Sequence, residues 1–160
     1  MTIFSLAQIL VLFVAALATG ALMVNWIGLT RAMARLSSPA YVEFHQATND
    51  TFVPYMPIVV VGAALGGIVL AALPPGSTTV SSHLALLGAF CYAAIVPITL
   101  ATDARMNKQI AGWTIARPPE NWTKVRARWI RFHILRTLVS VPALLSYLAS
   151  VMLLSGGTNS

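Results

Sequence analysis

The run TFVPYMPIVVVGAALGGIVLAALPPGSTTVSSHLALLGAFCYAAIVPITLAT, residues 51–102, decides the fold of this chain. It lies between Asp50 and Asp103 and contains no Asp, Glu, Lys or Arg. A membrane-crossing helix needs about 20 apolar residues, so the run has room for two such helices and a turn. We place the helices at about residues 54–73 and 83–101. The turn falls at residues 74–79, PPGSTT, where proline and glycine break helices.

Apolar runs of the same kind lie on both sides of this stretch, at about residues 6–29 and 130–154. Only 9% of the 160 residues are charged and 58% are hydrophobic, whereas a soluble domain carries about 25% charged residues. The first run lacks the basic start of a signal peptide and is too long for its apolar core, so we interpret it as a retained helix. The sequence therefore predicts an all-α fold: one integral membrane domain over residues 1–160, built as a bundle of four transmembrane helices.

The positive charges are confined to one end of the predicted bundle. Of the ten Lys and Arg residues, two lie in the first loop, seven lie between Arg105 and Arg131, and Arg136 follows one turn deeper. Basic residues retain loops on the cytoplasmic side, so we predict two cytoplasmic loops, the first and the third, and both termini outside. We expect a multi-pass protein of the bacterial inner membrane, in contact with the lipid bilayer. Because the basic residues flank the spans, no nucleic acid partner is expected.

Proline and capping signals predict the helix boundaries next to these loops. Ser38 followed by Pro39 predicts an N-cap and the first residue of a helix, which lies at the interface and continues into the second span. Pro54 and Pro57 predict a kink at that entry, and Pro97 predicts another in the third span. We expect the last helix to begin near residue 121 and to extend about two turns outside the bilayer.

All four predicted helices carry polar or aromatic residues at the depth of the cytoplasmic surface. His45 and Asn49 are four residues apart and therefore share a helix face, and Asp103 and Asn107 repeat this spacing. Ionisable groups in membrane segments face the bundle interior, so we expect four residues to line one cavity: Asn25, His45, Asn107 and His133. On the last helix a single stripe steps by three or four residues. Its members are Trp122, Arg126, Trp129, His133 and Arg136.

The residues of this cluster permit several chemistries. Zinc needs three or four ligands, and His45 and His133 with a nearby carboxylate would provide them. Two histidines on separate helices would equally hold a haem. A neutral imidazole beside asparagine and arginine suits proton abstraction from a weak carbon acid, because the donors stabilise the resulting oxyanion. The same residues are also compatible with a protein that is not an enzyme, either a membrane subunit or a small-molecule carrier.

Three segments of the chain carry a family resemblance. They are GALMVNW at residues 20–26, residues 44–57 beginning with Phe44 and His45, and residues 121–136, which contain the fourth-helix stripe. The segment around Asn107 and Trp113 also fits. In these segments the chain resembles the anthrone oxygenase-like family of small four-helix membrane proteins, often described only as a domain of unknown function. The fourth-helix pattern is the most specific part of the resemblance.

The resemblance implies oxidation of an activated, anthrone-like aromatic to a quinone by O2, without an added cofactor. The implied partners are O2 and a small apolar aromatic substrate, and the oligomeric state is left open. On this interpretation His133 or His45 acts as the general base. The candidates for oxyanion binding or orientation are Asn25, Asn49, Asn107 and Arg136, and the candidate stacking surfaces are Trp26, Trp113, Trp122 and Trp129.

Overall fold

The computed structural model describes residues 2–72 and 78–156, with side chains described up to residue 154. Every regular element in these ranges is a helix. In chain order they are α1 (Ile3–Val24), a π-helical turn (Asn25–Leu29), α2 (Thr30–Met33), α3 (Ser38–Phe52), α4 (Met56–Ala72), α5 (Thr79–Ala101), α6 (Asp103–Ala111) and α7 (Trp122–Gly156).

Four of these helices form the bundle. α5 packs against α4 and α7, and α1 packs against the same two helices, so each of the four has two main neighbours. Ala15, Ala63 and Ala143 are fully buried where the helices meet, because small side chains let helix backbones approach closely. The outward faces carry apolar side chains such as Phe13 and Phe90, which are 64% and 72% exposed. That surface is suited to contact with lipid.

The helices have the length and apolar character needed to cross a membrane. Three continuous runs qualify alone: Ile3–Met33, Thr79–Ala111 and Trp122–Leu154. α3 and α4 give a fourth when the pair is counted as one span, although it is bent by 47° at the intervening residues 53–55. The chain is therefore a membrane-embedded, multi-pass helical protein.

Three irregularities in the helices lie near the same end of the bundle. The π-helical turn interrupts the first helix at Asn25, the bend at residues 53–55 separates α3 from α4, and Thr102 separates α5 from α6 with φ −122° and ψ −74°. π-Helical turns are frequent at functional sites. All three breaks adjoin the loops that carry the basic residues.

The predicted helices are confirmed, with small changes at their ends. The N-cap of α3 is Ser37, one residue earlier than predicted, because Ser38 is already helical and Pro39 falls within the first turn. The bend predicted at Pro54 is present. α5 runs through Pro97 to Ala101, and the interruption comes at Thr102. The predicted turn at residues 74–79 lies largely outside the described residues, and the sidedness of the loops stays a prediction.

Candidate functional site

A cavity of about 470 Å³ lies in the basic half of the bundle, the half next to the loops that carry Lys and Arg. Most of its wall is apolar and includes Met33, Val60 and Ile95. The volume is in the range of pockets that hold small organic ligands, about 300–1,000 Å³. Its rim includes Phe52 and Leu100, which are 45% and 62% exposed. The cavity thus reaches the surface of the bundle between apolar side chains.

Most of the predicted site residues meet in this cavity. The predicted site residues that line it are Asn25, His45, Asn49, Asn107, Trp129, His133 and Arg136. Trp26, Trp113 and Trp122 are not among the lining residues. Trp113 and Trp122 instead pack against the buried cluster that contains Tyr41, Met106 and Ile110.

Both ring nitrogens of His133 are engaged by the protein. Nε2 lies 3.1 Å from the Leu22 carbonyl oxygen, which can only accept, so Nε2 carries the proton. This carbonyl is at the entry to the π-helical turn, and it also accepts a bond from the Thr137 hydroxyl. The Arg136 Nη2 donates to Nδ1 at 3.0 Å. These two contacts indicate that the His133 imidazole is neutral and that its lone pair, on Nδ1, already faces the Arg136 cation.

Arg136 is held on three sides. Nη2 forms a 2.9 Å ion pair with Asp103 Oδ1, and Nη1 donates to the Thr99 hydroxyl at 3.2 Å. The Thr102 hydroxyl donates to the other Asp103 oxygen at 2.9 Å. The side chains of Arg136 and Asp103 are 11% and 1% exposed. The Arg136 Nε–H is buried and has no partner among the described residues.

His45 belongs to a second hydrogen-bonded set. The indole Nε1–H of Trp129, which can only donate, lies 2.9 Å from Asn107 Oδ1 and thereby fixes the orientation of that amide. His45 Nε2 lies 3.1 Å from the same oxygen and therefore donates to it. The lone pair of His45 is on Nδ1, whose contact is the Tyr41 hydroxyl at 3.4 Å. At that distance the bond is weak.

Trp129 connects the two histidines. Its indole stacks on His133 with ring centroids 5.3 Å apart and an interplanar angle of 14°, and it meets His45 edge-on at 5.0 Å. Trp129 is only 6% exposed. The indole is therefore covered by its neighbours, which include the two imidazoles and the cluster around Tyr41 and Met106, and it forms part of the cavity wall.

The donor set does not resemble a metal centre. No group of three His, Cys, Asp or Glu side chains suited to a metal occurs within residues 2–72 and 78–154. The Nε2 atoms of His45 and His133 both donate to protein oxygens, and ligation by either atom would require that bond to break.

Sequence reasoning placed Asp103 in the cluster but missed its partner. Asp103 and Arg136 are 33 residues apart, and no spacing rule relates residues at that separation on different helices. The role of the Leu22 carbonyl was also missed, because a backbone acceptor has no signature in side-chain patterns. A buried arginine in an apolar helix was the one available signal, since such a charge needs a partner.

Comparison with known proteins gives one informative match. No curated protein and no solved structure matches the chain significantly. The family model described as anthrone oxygenase matches residues 44–146, which include most of α3, all of α4 to α6 and most of α7. That match covers more than half of the chain and six of the seven predicted residues in the cavity lining. The chain belongs to the anthrone oxygenase family.

Proposed function

We propose that this protein oxidises an anthrone-like aromatic substrate to the corresponding quinone with O2 and without an added cofactor. The observation that supports the proposal best is the pairing of an apolar cavity with the Arg136 side chain, a cation held in its lining by Asp103. An anthrone is flat and apolar, and it acquires negative charge on a single oxygen when it loses a proton. The cavity offers an apolar environment for the rings and a cation for that oxygen.

The chemistry needs few protein groups. A base removes a proton from the methylene carbon, and the resulting anion is an electron-rich aromatic whose charge resides largely on oxygen. The anion reduces O2, one oxygen atom bonds to the carbon and becomes the second carbonyl, and the other leaves as water. The balance is CH2 plus O2 giving C=O plus H2O, so the substrate supplies all the electrons. The protein must provide the base, the oxyanion donor and a dry cavity.

We assign the base to His45 rather than to His133. The lone pair of His133 already accepts from the Arg136 guanidinium at 3.0 Å, and a proton placed there would face that cation. The lone pair of His45 receives only the 3.4 Å contact from Tyr41. His45 also stays correctly oriented through its bond to Asn107. In this assignment His133 supports Arg136, and His45 takes the proton.

The glutamine variants separate these two roles. Glutamine keeps an N–H donor near the position of Nε2 but has no basic lone pair. We expect His45→Gln to lower kcat for anthrone by about 10²–10⁴-fold, and His133→Gln to lower it much less. The measurement is oxygen uptake and quinone absorbance with protein purified in detergent. The reverse order would move the base to His133, and full activity in both variants would eliminate histidine base catalysis.

A metal-dependent alternative has its own signature in the same assay. If activity disappears with a chelator and returns with an added metal ion, the oxidation does not run through the cofactor-free route. The absorption spectrum of the purified protein tests for haem at the same time. Cofactor-free oxidation is supported when full activity survives extensive chelation in a protein without a haem band.

We further propose that the site faces the cytoplasmic surface of a bacterial inner membrane. The reason is that all ten Lys and Arg residues lie in or next to the first and third loops, and such loops stay on the cytoplasmic side. A periplasmic reporter fused after the last residue should be active, and the same reporter in the third loop, after Pro118, should be inactive. Activity of the loop fusion alone would invert the topology.

A further inference from the structure

The outward face of α7 carries a groove that is separate from the cavity between the helices. It is formed by α7 alone, and its lining residues are Thr123, Lys124, Ala127, Arg128, Arg131, Phe132 and Leu135. None of them lines the cavity. Four of them are exposed and, at steps of four, three and four residues, form one line along the helix, here called the outer stripe: Lys124, Arg128, Arg131 and Leu135.

The three cations of the outer stripe have no counter-charge in the protein. The whole chain has only four Asp and Glu residues, and the one ion pair among the described residues joins Asp103 to Arg136. Arg126, on the inner side of the same helical segment, donates to the Met33 carbonyl oxygen at 3.0 Å. The inner arginines of α7 are thus held by the protein, whereas the outer stripe presents uncompensated positive charge to its surroundings.

The same face of α7 becomes apolar where the helix continues into its membrane-spanning part. Beyond Arg131 it carries Leu135, Leu138 and Leu145, which are 43%, 53% and 59% exposed. The Arg128 guanidinium carbon lies 5.8 Å from the centroid of the Phe132 ring, one turn closer to this apolar part. One continuous surface therefore has a basic end and an apolar end.

We propose that this surface binds an anionic phospholipid, with the phosphate between Arg128 and Arg131 and an acyl chain along Leu135 and Leu138. Basic residues near the membrane surface attract anionic lipids. The basic end extends about 10 Å along the helix axis, at 1.5 Å per residue, and one headgroup layer is about 5–8 Å thick. Long basic side chains at both ends of that length can therefore reach the phosphates.

A lipid accounts for both ends of the surface, which a soluble acidic protein does not. Leu138 and Leu145 belong to a run with the length and apolar character of a membrane span, so inside a bilayer only lipid or another membrane protein can contact them. The site does not depend on the proposed oxidation, because no residue of the groove belongs to the cavity.

The test measures lipid binding to the purified protein by native mass spectrometry in detergent. The protein is titrated with phosphatidylglycerol, which is anionic, or with zwitterionic phosphatidylcholine that has the same acyl chains. The decisive variant is the triple substitution Lys124→Gln, Arg128→Gln and Arg131→Gln. A second variant, Arg128→Lys with Arg131→Lys, keeps the charge. Thermal unfolding in detergent verifies that each variant is folded.

A charge-matched control separates this site from the general basicity of the protein. It is the triple substitution Arg31→Gln, Arg35→Gln and Arg105→Gln, which removes three positive charges at exposed positions outside the groove. A competition arm uses glycerophosphoglycerol, the headgroup of phosphatidylglycerol without its acyl chains. That probe distinguishes a lipid site from a site for soluble phosphate compounds.

We expect the wild type to bind one phosphatidylglycerol at least about tenfold more tightly than phosphatidylcholine, because each basic residue near the surface adds about fivefold for an anionic lipid. The triple variant of the outer stripe should bind the two lipids within about twofold of each other. The control triple should retain the preference. The lysine variant should retain most of it, because lysine also binds phosphate as a point charge. Glycerophosphoglycerol at equal concentration should not displace the lipid.

A preference that survives the triple substitution in the outer stripe would overturn the proposal, as would an equal loss in the control triple. Displacement by glycerophosphoglycerol would replace the lipid with a soluble anion. A change from dimer to monomer in the triple variant would instead make this face an interface between copies of the chain. If the triple variant does not fold, Arg131→Gln alone decides: we expect about a fivefold loss of preference, and an unchanged preference would overturn the proposal.

Discussion

The two halves of the bundle treat buried polar groups in different ways. The half of the bundle away from the basic loops, here called the terminal half, is built around Tyr92 and Tyr147. The Tyr92 hydroxyl donates to the Ala15 carbonyl oxygen at 3.0 Å, and the Tyr147 hydroxyl donates to the Ala63 carbonyl oxygen at 2.7 Å. Ser150 donates across helices to the Ser81 carbonyl at 2.8 Å. In the basic half, Asn25 Oδ1, Asn49 Oδ1 and Arg136 Nε have no partner among the described residues.

The terminal half pairs its buried polar groups within the protein, whereas the basic half leaves three buried polar atoms unpaired among the described residues. Tyr147 lies against Gly67 and Gly88, so the terminal half has no space for another molecule at that contact. The basic half combines a 470 Å³ cavity with unsatisfied atoms. Buried polar atoms that a protein leaves unpaired require an explanation, and the proposed substrate would provide one.

The largest expected effect is in the basic half, at the ion pair of Asp103 and Arg136. Asp103→Asn removes the carboxylate and leaves a buried guanidinium without its counter-charge, so we expect a loss of about 3–5 kcal/mol in unfolding free energy. Replacement of both residues, Asp103→Asn with Arg136→Gln, should recover part of that loss. Denaturant unfolding in mixed micelles measures the unfolding free energy of the single and the double variant. A single-variant loss below about 1 kcal/mol would mean that solvent or lipid headgroups reach the pair.

The sequence predicted the bundle more completely than the site. Apolar run length and proline positions locate helices because both act locally along the chain, and the charge-free residues 51–102 required two spans. The convergence of His45, Asn107 and His133 also followed, since polar residues at one membrane depth face inward. The pairing of Arg136 with Asp103 and the occupation of the His133 lone pair depend on rotamers and on the contact between α5, α6 and α7. Helical spacing does not determine either of them.

A second prediction concerns the close packing of the terminal half. A methyl group on Gly88 would overlap the Tyr147 ring and lie 2.9 Å from the Ala143 carbonyl oxygen. We expect Gly88→Ala to lower the unfolding free energy by about 1–3 kcal/mol, as overpacked cores do. Gly20→Ala is the matched control, because nothing lies within 4 Å of the added atom, and alanine favours a helix over glycine. Equal stability of the two variants would show that the tyrosine contact is loose.

The smallest expected changes in unfolding free energy come from removing one polar group in each half of the bundle. Tyr147→Phe removes the hydroxyl that donates to Ala63 at 2.7 Å, and we expect a loss of about 0.5–1.5 kcal/mol, the usual contribution of a satisfied hydrogen bond. Asn25→Leu removes a buried oxygen that has no partner among the described residues, so unfolding free energy should stay the same or rise. Leucine has the same branching as asparagine but is larger, and the cavity beside residue 25 has room for the added volume.

The two variants are measured side by side, by denaturant unfolding in the same micelles without ligand. The expected result is a stable Asn25→Leu protein with impaired substrate binding beside a destabilised Tyr147→Phe protein that still binds. Such a pair would show that the oxygen of Asn25 contributes to function and not to the fold. Destabilisation by Asn25→Leu of about 1 kcal/mol or more would mean that an ordered water or a lipid group already satisfies that oxygen in the empty protein. The distinction between the two halves of the bundle would then disappear at this residue.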